Sequence, residues 1–241
     1  FNKPLQGMDV DLLWQSAIEL ETTPPEQPRF ALIQASAPGF SFLLAGTQKL
    51  LGLSLYKHRF LMAFIGSTTV IFLMIAAWSW SRDKLTTIAT GLLAALYPTS
   101  IYADTQLIKS APELLLISIL LAWMSNFRCR SLIHASLHGL AISFLLLCLI
   151  ASQLSAFLLP FAITFWILVL KKIAFRQRML TITILLSLTT AGSWLVQKPE
   201  LWMPDKHGAF MPISGIHATV GFHANATGNY HNIPGVPASP I

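Results

Sequence analysis

Residues 60 to 80 read FLMAFIGSTTVIFLMIAAWSW, with no charged side chain among them and Trp78 and Trp80 at one end. A helix needs about 20 mostly apolar residues to cross the hydrocarbon core of a bilayer, and tryptophans favour the interface where that core ends. The stretch therefore predicts a transmembrane helix. The rest of the composition agrees: 54% of the chain is apolar and 11% charged, where soluble domains carry about 25% charged residues. The net charge of +6 reads as loop lysines and arginines that orient helices. No basic stripe is interleaved with stacking aromatics, so no nucleic acid is expected as a partner.

Further apolar segments follow the first. Residues 85 to 102 run into Pro98 and a tyrosine pair, and residues 107 to 127 carry Lys109 and Glu113 near their start. From 131 to 170 the only residues with acid or base character besides the cysteine are His134 and His138. One helix of that length would be twice a bilayer at about 1.5 Å per residue, so the chain must fold back, and ASQLSA at 151 to 156 is the polar place to do so. Residues 179 to 196 make the last segment, which gives six spans in an all-α polytopic bundle. The loops at 81–84, 126–131 and 171–178 hold Arg82, Lys84, Arg128, Arg130, Lys171, Lys172, Arg176 and Arg178. By the positive-inside rule they face the cytoplasm.

Residues 1–57 then form a first outer loop with amphipathic juxtamembrane helices, 58–197 the bundle, and 198–241 an outer segment rich in Gly, Asn and His. Within the first, PGFSFLLAGTQKLLGLSLY at 38 to 56 is apolar at helical spacing but broken by Gln48 and Lys49. That pattern suits a helix lying in the interface. The chain starts at Phe1 with no signal-peptide pattern. It reads as a fragment. Cys129 and Cys148 sit where neither a disulfide nor a metal site is expected.

Acids are scarce, yet five of the ten (Asp9, Asp11, Glu19, Glu21 and Glu26) precede residue 30. GMDVDLLWQSA at 7 to 17 resembles the first outer loop of the GT-C membrane glycosyltransferases, in particular those like the dolichyl-phosphate-mannose protein mannosyltransferases and the lipid A aminoarabinose transferases. In that family an aspartate is followed eight positions later by a small residue on a short helix, as Asp9 is by Ala17. SAPGFSFLLAGTQKLLG, HRFLMAFIGSTTV, LLAALYPTSIYADTQLIKSAPELLL and ISGIHATVGFHANATGNYHNIPG resemble later family segments in the same order. Two positions depart: Leu13 stands where the family commonly has tyrosine, and Lys109 or Ser110 where it often has an acid.

The resemblance implies an enzyme that moves a sugar from a polyprenyl-phosphate donor to a protein, lipid or glycan acceptor. It would be a multi-pass protein of the cytoplasmic membrane with its site on the periplasmic or extracellular side. Such a transfer needs a base for the acceptor's proton and cations near the departing phosphate. Asp9 is the candidate base, and Lys109, Arg59 and Lys57 are candidates for the phosphate. Glu113, Asp104, His217 and Asn225 are further polar candidates on the same side. No organic cofactor is implied. The tail histidines match no usual zinc spacing, so no metal ligand is assigned, and dependence on a divalent metal stays open. Each candidate also has a plainer reading. Asp9 and Asp11 suit a helix N-terminus, Lys109 and Glu113 pair along one helix face, and Arg59 snorkels to the interface. Two other functions fit a chain of this composition: a polytopic transporter, or a non-catalytic subunit of cell-envelope assembly.

Overall fold

The computed structural model describes residues 8–22, 38–98, 101, 107, 109–127, 129, 131–152, 156, 158–170 and 173–196. Among them the chain forms eight α-helices and no strand, the all-helical class that the hydropathy pattern predicts. We number them α1 (Met8–Thr22), α2 (Pro38–Leu51), α3 (Leu55–Ser81), α4 (Lys84–Leu96), α5 (Ser110–Ser125), α6 (Leu132–Ser152), α7 (Leu159–Val169) and α8 (Phe175–Val196).

Two of these, α3 and α6, are long and apolar enough to cross a membrane. Helix α8 has 22 residues but is diluted by Thr181, Thr183, Thr189, Thr190 and Ser193. Helices α4, α5 and α7 are apolar but have 13, 16 and 11 residues, about 16 to 24 Å at the usual rise, short of the roughly 30 Å hydrocarbon core. Of the six predicted spans, two are both long and apolar enough to cross. The shortening of the second predicted span has a local cause. Pro98 disfavours the helical region for the residue before it, and Tyr97 is extended at φ −68° and ψ 112° where α4 ends. Large apolar side chains nevertheless point outward along these helices, among them Phe60, Phe64, Leu93, Ile133, Phe144 and Phe165. A protein surrounded by water rarely exposes so much. Together with α3 and α6 these surfaces point to association with a membrane.

The ends of the helices are tied in register. Asn126, just past α5, donates from Nδ2 to Ser79 Oγ near the end of α3 at 2.9 Å. Trp123 Nε1 donates to His138 Nδ1 at 2.9 Å, joining the end of α5 to the start of α6. Thr181 Oγ1 donates to the Ala135 carbonyl at 3.2 Å, joining the starts of α6 and α8, and Arg178 Nη1 donates to Leu168 O near the end of α7 at 2.8 Å. Arg82, Lys84, Arg176 and Arg178 therefore gather at one end of the bundle, while Arg128, Arg130, Lys171 and Lys172 lie outside the described residues. Helix α4 starts at this end with Asp83 as its N-cap, whose Oδ2 accepts from the Thr86 amide at 2.7 Å and from its hydroxyl at 2.6 Å.

Helices α1 and α2 cap the opposite end. On α1 the buried residues Leu13, Trp14, Ser16 and Ala17 share one face, and on α2 Phe40, Ser41, Leu44, Ala45 and Gln48 do, the i, i+4, i+8 recurrence of an amphipathic helix. The two faces meet closely because small side chains line them: Ser16 Oγ and Ser41 Oγ are 2.6 Å apart. With Met62 of α3, Leu107, and Ala111 of α5 they form one apolar cluster. A second cluster, from α5 to α8, fills the bundle. The start of α2 also rests on the end of α6, where Gly39 approaches Ala151 so closely that a Cβ would have no room. Gly52, at φ 73°, then terminates α2 in the left-handed conformation that glycine takes without cost, its amide donating to the Gln48 carbonyl at 2.7 Å.

Candidate functional site at the capped end

The sequence candidates described by the structure converge on the capped end. Asp9 and Asp11 lie in the first two turns of α1, where acids are favoured by the helix dipole; their side chains lie outside the described residues. Lys57 is exposed in the first turn of α3, and its Nζ donates to the Leu51 carbonyl at 3.1 Å. It thus serves the C-terminus of α2, a cation at the negative end of a helix. Arg59, two residues on, is half-buried and already engaged by other groups. Lys109 is the half-buried N-cap of α5. One turn later Glu113 is buried, at 8% exposure, and its Oε1 has no hydrogen-bond partner, although the Lys109 ammonium attracts its carboxylate. The expected i, i+4 pair is thus an electrostatic neighbourhood without a hydrogen bond to that oxygen. Asp104, His217 and Asn225 lie outside the described residues.

Two residues that sequence reasoning passed over belong to the same end. His58 of α3 is completely buried. Its Nδ1 lies 2.9 Å from the Ser54 carbonyl and its ring stands edge-on to Trp14, with centroids 5.0 Å apart at 85°. A carbonyl only accepts, so Nδ1 carries the hydrogen and donates, which leaves the other ring nitrogen, Nε2. That nitrogen has no partner. Gln48 of α2 is 3% exposed, and neither Oε1 nor Nε2 of its amide is hydrogen-bonded. The signal for both was available as register. Gln48 continues the Phe40 and Leu44 stripe by one more turn, and His58 precedes buried Met62 by one. The glutamine instead reads as a break in the apolar pattern when hydropathy alone is followed.

An unsatisfied buried hydrogen-bonding group costs about 1–3 kcal/mol. Four such atoms, on Gln48, His58 and Glu113, occupy the cap and the first turns of the helices beneath it. At the opposite end Trp123, Asn126, Ser131 and Thr181 have partners, while the buried Nε of Arg178 has none. Among the described residues no group of three or more His, Cys, Asp or Glu is arranged to hold a metal ion. No family model, no curated protein and no solved structure matches the chain.

Proposed function

We propose that this chain is a GT-C-type membrane glycosyltransferase, moving a sugar from a polyprenyl phosphate to a protein, lipid or glycan hydroxyl at the outer face of a cytoplasmic membrane. The observation that supports this reading best is the α1–α2 cap. It covers the end of the bundle away from the basic loops, carries Asp9 in its first turn, and stands over helix starts where Lys109 and the buried, incompletely bonded Glu113 lie. A basic end in the cytoplasm would set the cap outside.

In this reading the acceptor oxygen attacks the anomeric carbon while its proton passes to the Asp9 carboxylate. The bond from that carbon to the phosphate oxygen breaks with its electron pair, and the polyprenyl phosphate leaves. Lys109 offsets the charge that develops on the departing phosphate, as positioned cations do in transition states. Arg59 supports the same phosphate from α3, and Lys57 keeps the cap's last turn in place.

The test is sugar transfer from polyprenyl-phosphate sugars in proteoliposomes carrying the protein. A base of this kind contributes about 10² to 10⁴ in rate, so Asp9→Asn should lose transfer by that factor while donor binding persists. Asp11→Asn should stay near wild type, since side chains two positions apart on a helix point in different directions. Lys109→Gln should weaken donor binding more than Lys109→Arg, which keeps the charge. Wild-type transfer by Asp9→Asn, or equal losses in the two aspartate variants, would refute the catalytic assignment.

A further inference from the structure

At the basic end, one imidazole joins two helices and the aromatic side chains between them. Trp123, in the last turn of α5, donates from Nε1 to Nδ1 of His138, in the second turn of α6, at 2.9 Å. The two rings stand nearly perpendicular, with centroids 5.7 Å apart at 77°. Phe127, just past α5, is tilted against the same imidazole at 4.7 Å and 46°, and meets Trp166 of α7 in turn at 5.7 Å and 69°. Phe127 and Trp166 pack against the apolar cluster that fills the bundle. His138 itself is half-buried, so a proton reaches it without any opening of the bundle. The neighbouring turns of α5 and α7 carry no ionisable side chain. The ionisable groups at this end are His134, one turn earlier on α6 with its Nδ1 2.7 Å from Ser131 Oγ, Cys129 before that helix, Arg176 and Arg178 on α8, and Arg82, Asp83 and Lys84 where α3 passes into α4. Arg128, Arg130, Lys171 and Lys172 lie outside the described residues.

The bond between Trp123 and His138 depends on the charge of the imidazole. An indole nitrogen donates and has no acceptor, so Nδ1 must keep its lone pair, and the neutral ring carries its hydrogen on Nε2. In the imidazolium both nitrogens carry hydrogen and both donate. Proton uptake at Nδ1 would leave two N–H groups aimed at each other across 2.9 Å, and the indole would have to turn away. Turning costs little, because Trp123 is 41% exposed and its N–H can bond to solvent instead. The imidazolium keeps a partner: a cation within about 6 Å of a ring centroid is attracted to the aromatic face, and Phe127 lies inside that distance. We propose that Trp123 and His138 form a proton-sensitive latch, which ties the last turn of α5 to α6 while His138 is neutral and releases it when His138 takes up a proton. Release loosens α5 next to Asn126, whose bond to Ser79 ties it to α3. The latch uses none of the groups assigned to sugar transfer and stands apart from that reading.

The experiment follows the indole and imidazole ¹⁵N resonances of the protein in nanodiscs from about pH 8 to about pH 5, the range in which imidazoles change charge. The Trp123 indole signal is identified by its loss in Trp123→Phe. In wild type it should move in step with protonation of His138 and return when the pH is restored. Protection of the amides in the last turn of α5, corrected for the intrinsic pH dependence of exchange, should fall by about 2- to 10-fold over the same range, the scale of one net hydrogen bond. His138→Asn places an amide oxygen where Nδ1 stands and does not titrate, so the Trp123 signal should then hold still. His134→Asn should leave the wild-type transition in place. A Trp123 signal that stays fixed while His138 titrates, a His138 that remains neutral throughout the range, a transition that persists in His138→Asn, or one that vanishes in His134→Asn would each overturn the latch. The first two outcomes are read on the wild type and stand even where a variant fails to fold.

Discussion

Gly39→Ala should loosen the cap from the bundle without unfolding either. A Cβ at residue 39 lies 2.8 Å from Ala151 Cβ, 2.9 Å from its carbonyl carbon and 3.0 Å from its oxygen. Two of these atoms are backbone in the last turn of α6, so no side-chain rotation relieves the contact. Overpacking of this kind costs about 1–3 kcal/mol, which at 1.4 kcal/mol per tenfold shifts the docking equilibrium by about 5- to 150-fold. Helix propensity does not rescue it: alanine favours α2 by up to about 1 kcal/mol over glycine, but equally whether the helix is docked or free. Gly46→Ala is the matched control on the same helix, since nothing lies within 4 Å of a Cβ there. Amide hydrogen exchange in α1 and α2, with α6 and α8 as internal reference, reads the result. Gly39→Ala should speed exchange of the cap amides by the stated factor, and Gly46→Ala should slow it or leave it alone. Ala151→Gly added to Gly39→Ala should restore only part of the protection, because it removes the Cβ contact and keeps the backbone ones. If the cap exchanges alike in Gly39→Ala and Gly46→Ala, α2 does not seat on α6 as described.

The orientation proposed for the bundle is open to single-cysteine labelling after Cys129 and Cys148 are replaced. An impermeant reagent applied to intact cells should reach cysteines placed at Thr23 and Ala218 and miss those at Ser131 and Ala174, and modification at Ala174 would invert the topology. At the start of α4 the Thr86 hydroxyl, and then the Thr86 amide, hold the Asp83 carboxyl below the ordinary value of 3.8. A folded pKa that is depressed means the capping contribution is complete above that ordinary value and disappears as pH falls through the folded one. NMR titration of Thr86→Val should find Asp83 moved up toward 3.8, and an unmoved titration would show that the hydroxyl contributes nothing to the cap.

The sequence alone determined the all-helical class, the spanning length of α3, the break between α6 and α7, and the concentration of basic residues in three alternate loops. Each follows from a local property. Twenty-odd apolar residues have few stable options in a bilayer other than a helix, and 40 of them without a break exceed its thickness. Pro98 was legible too, though how far it shortens α4 depends on where Tyr97 leaves the helical region. Only the tertiary structure decided which polar residues are buried. Hydropathy reads Gln48, His58 and Glu113 as exposed interruptions near the interface, because it scores each residue by its own solvation. Their burial depends instead on neighbours distant in sequence. Ser16 and Ser41 let α1 and α2 approach to hydrogen-bonding distance, Gly39 lets α2 rest on α6, and together these contacts close the cap over side chains that each helix by itself would leave in water.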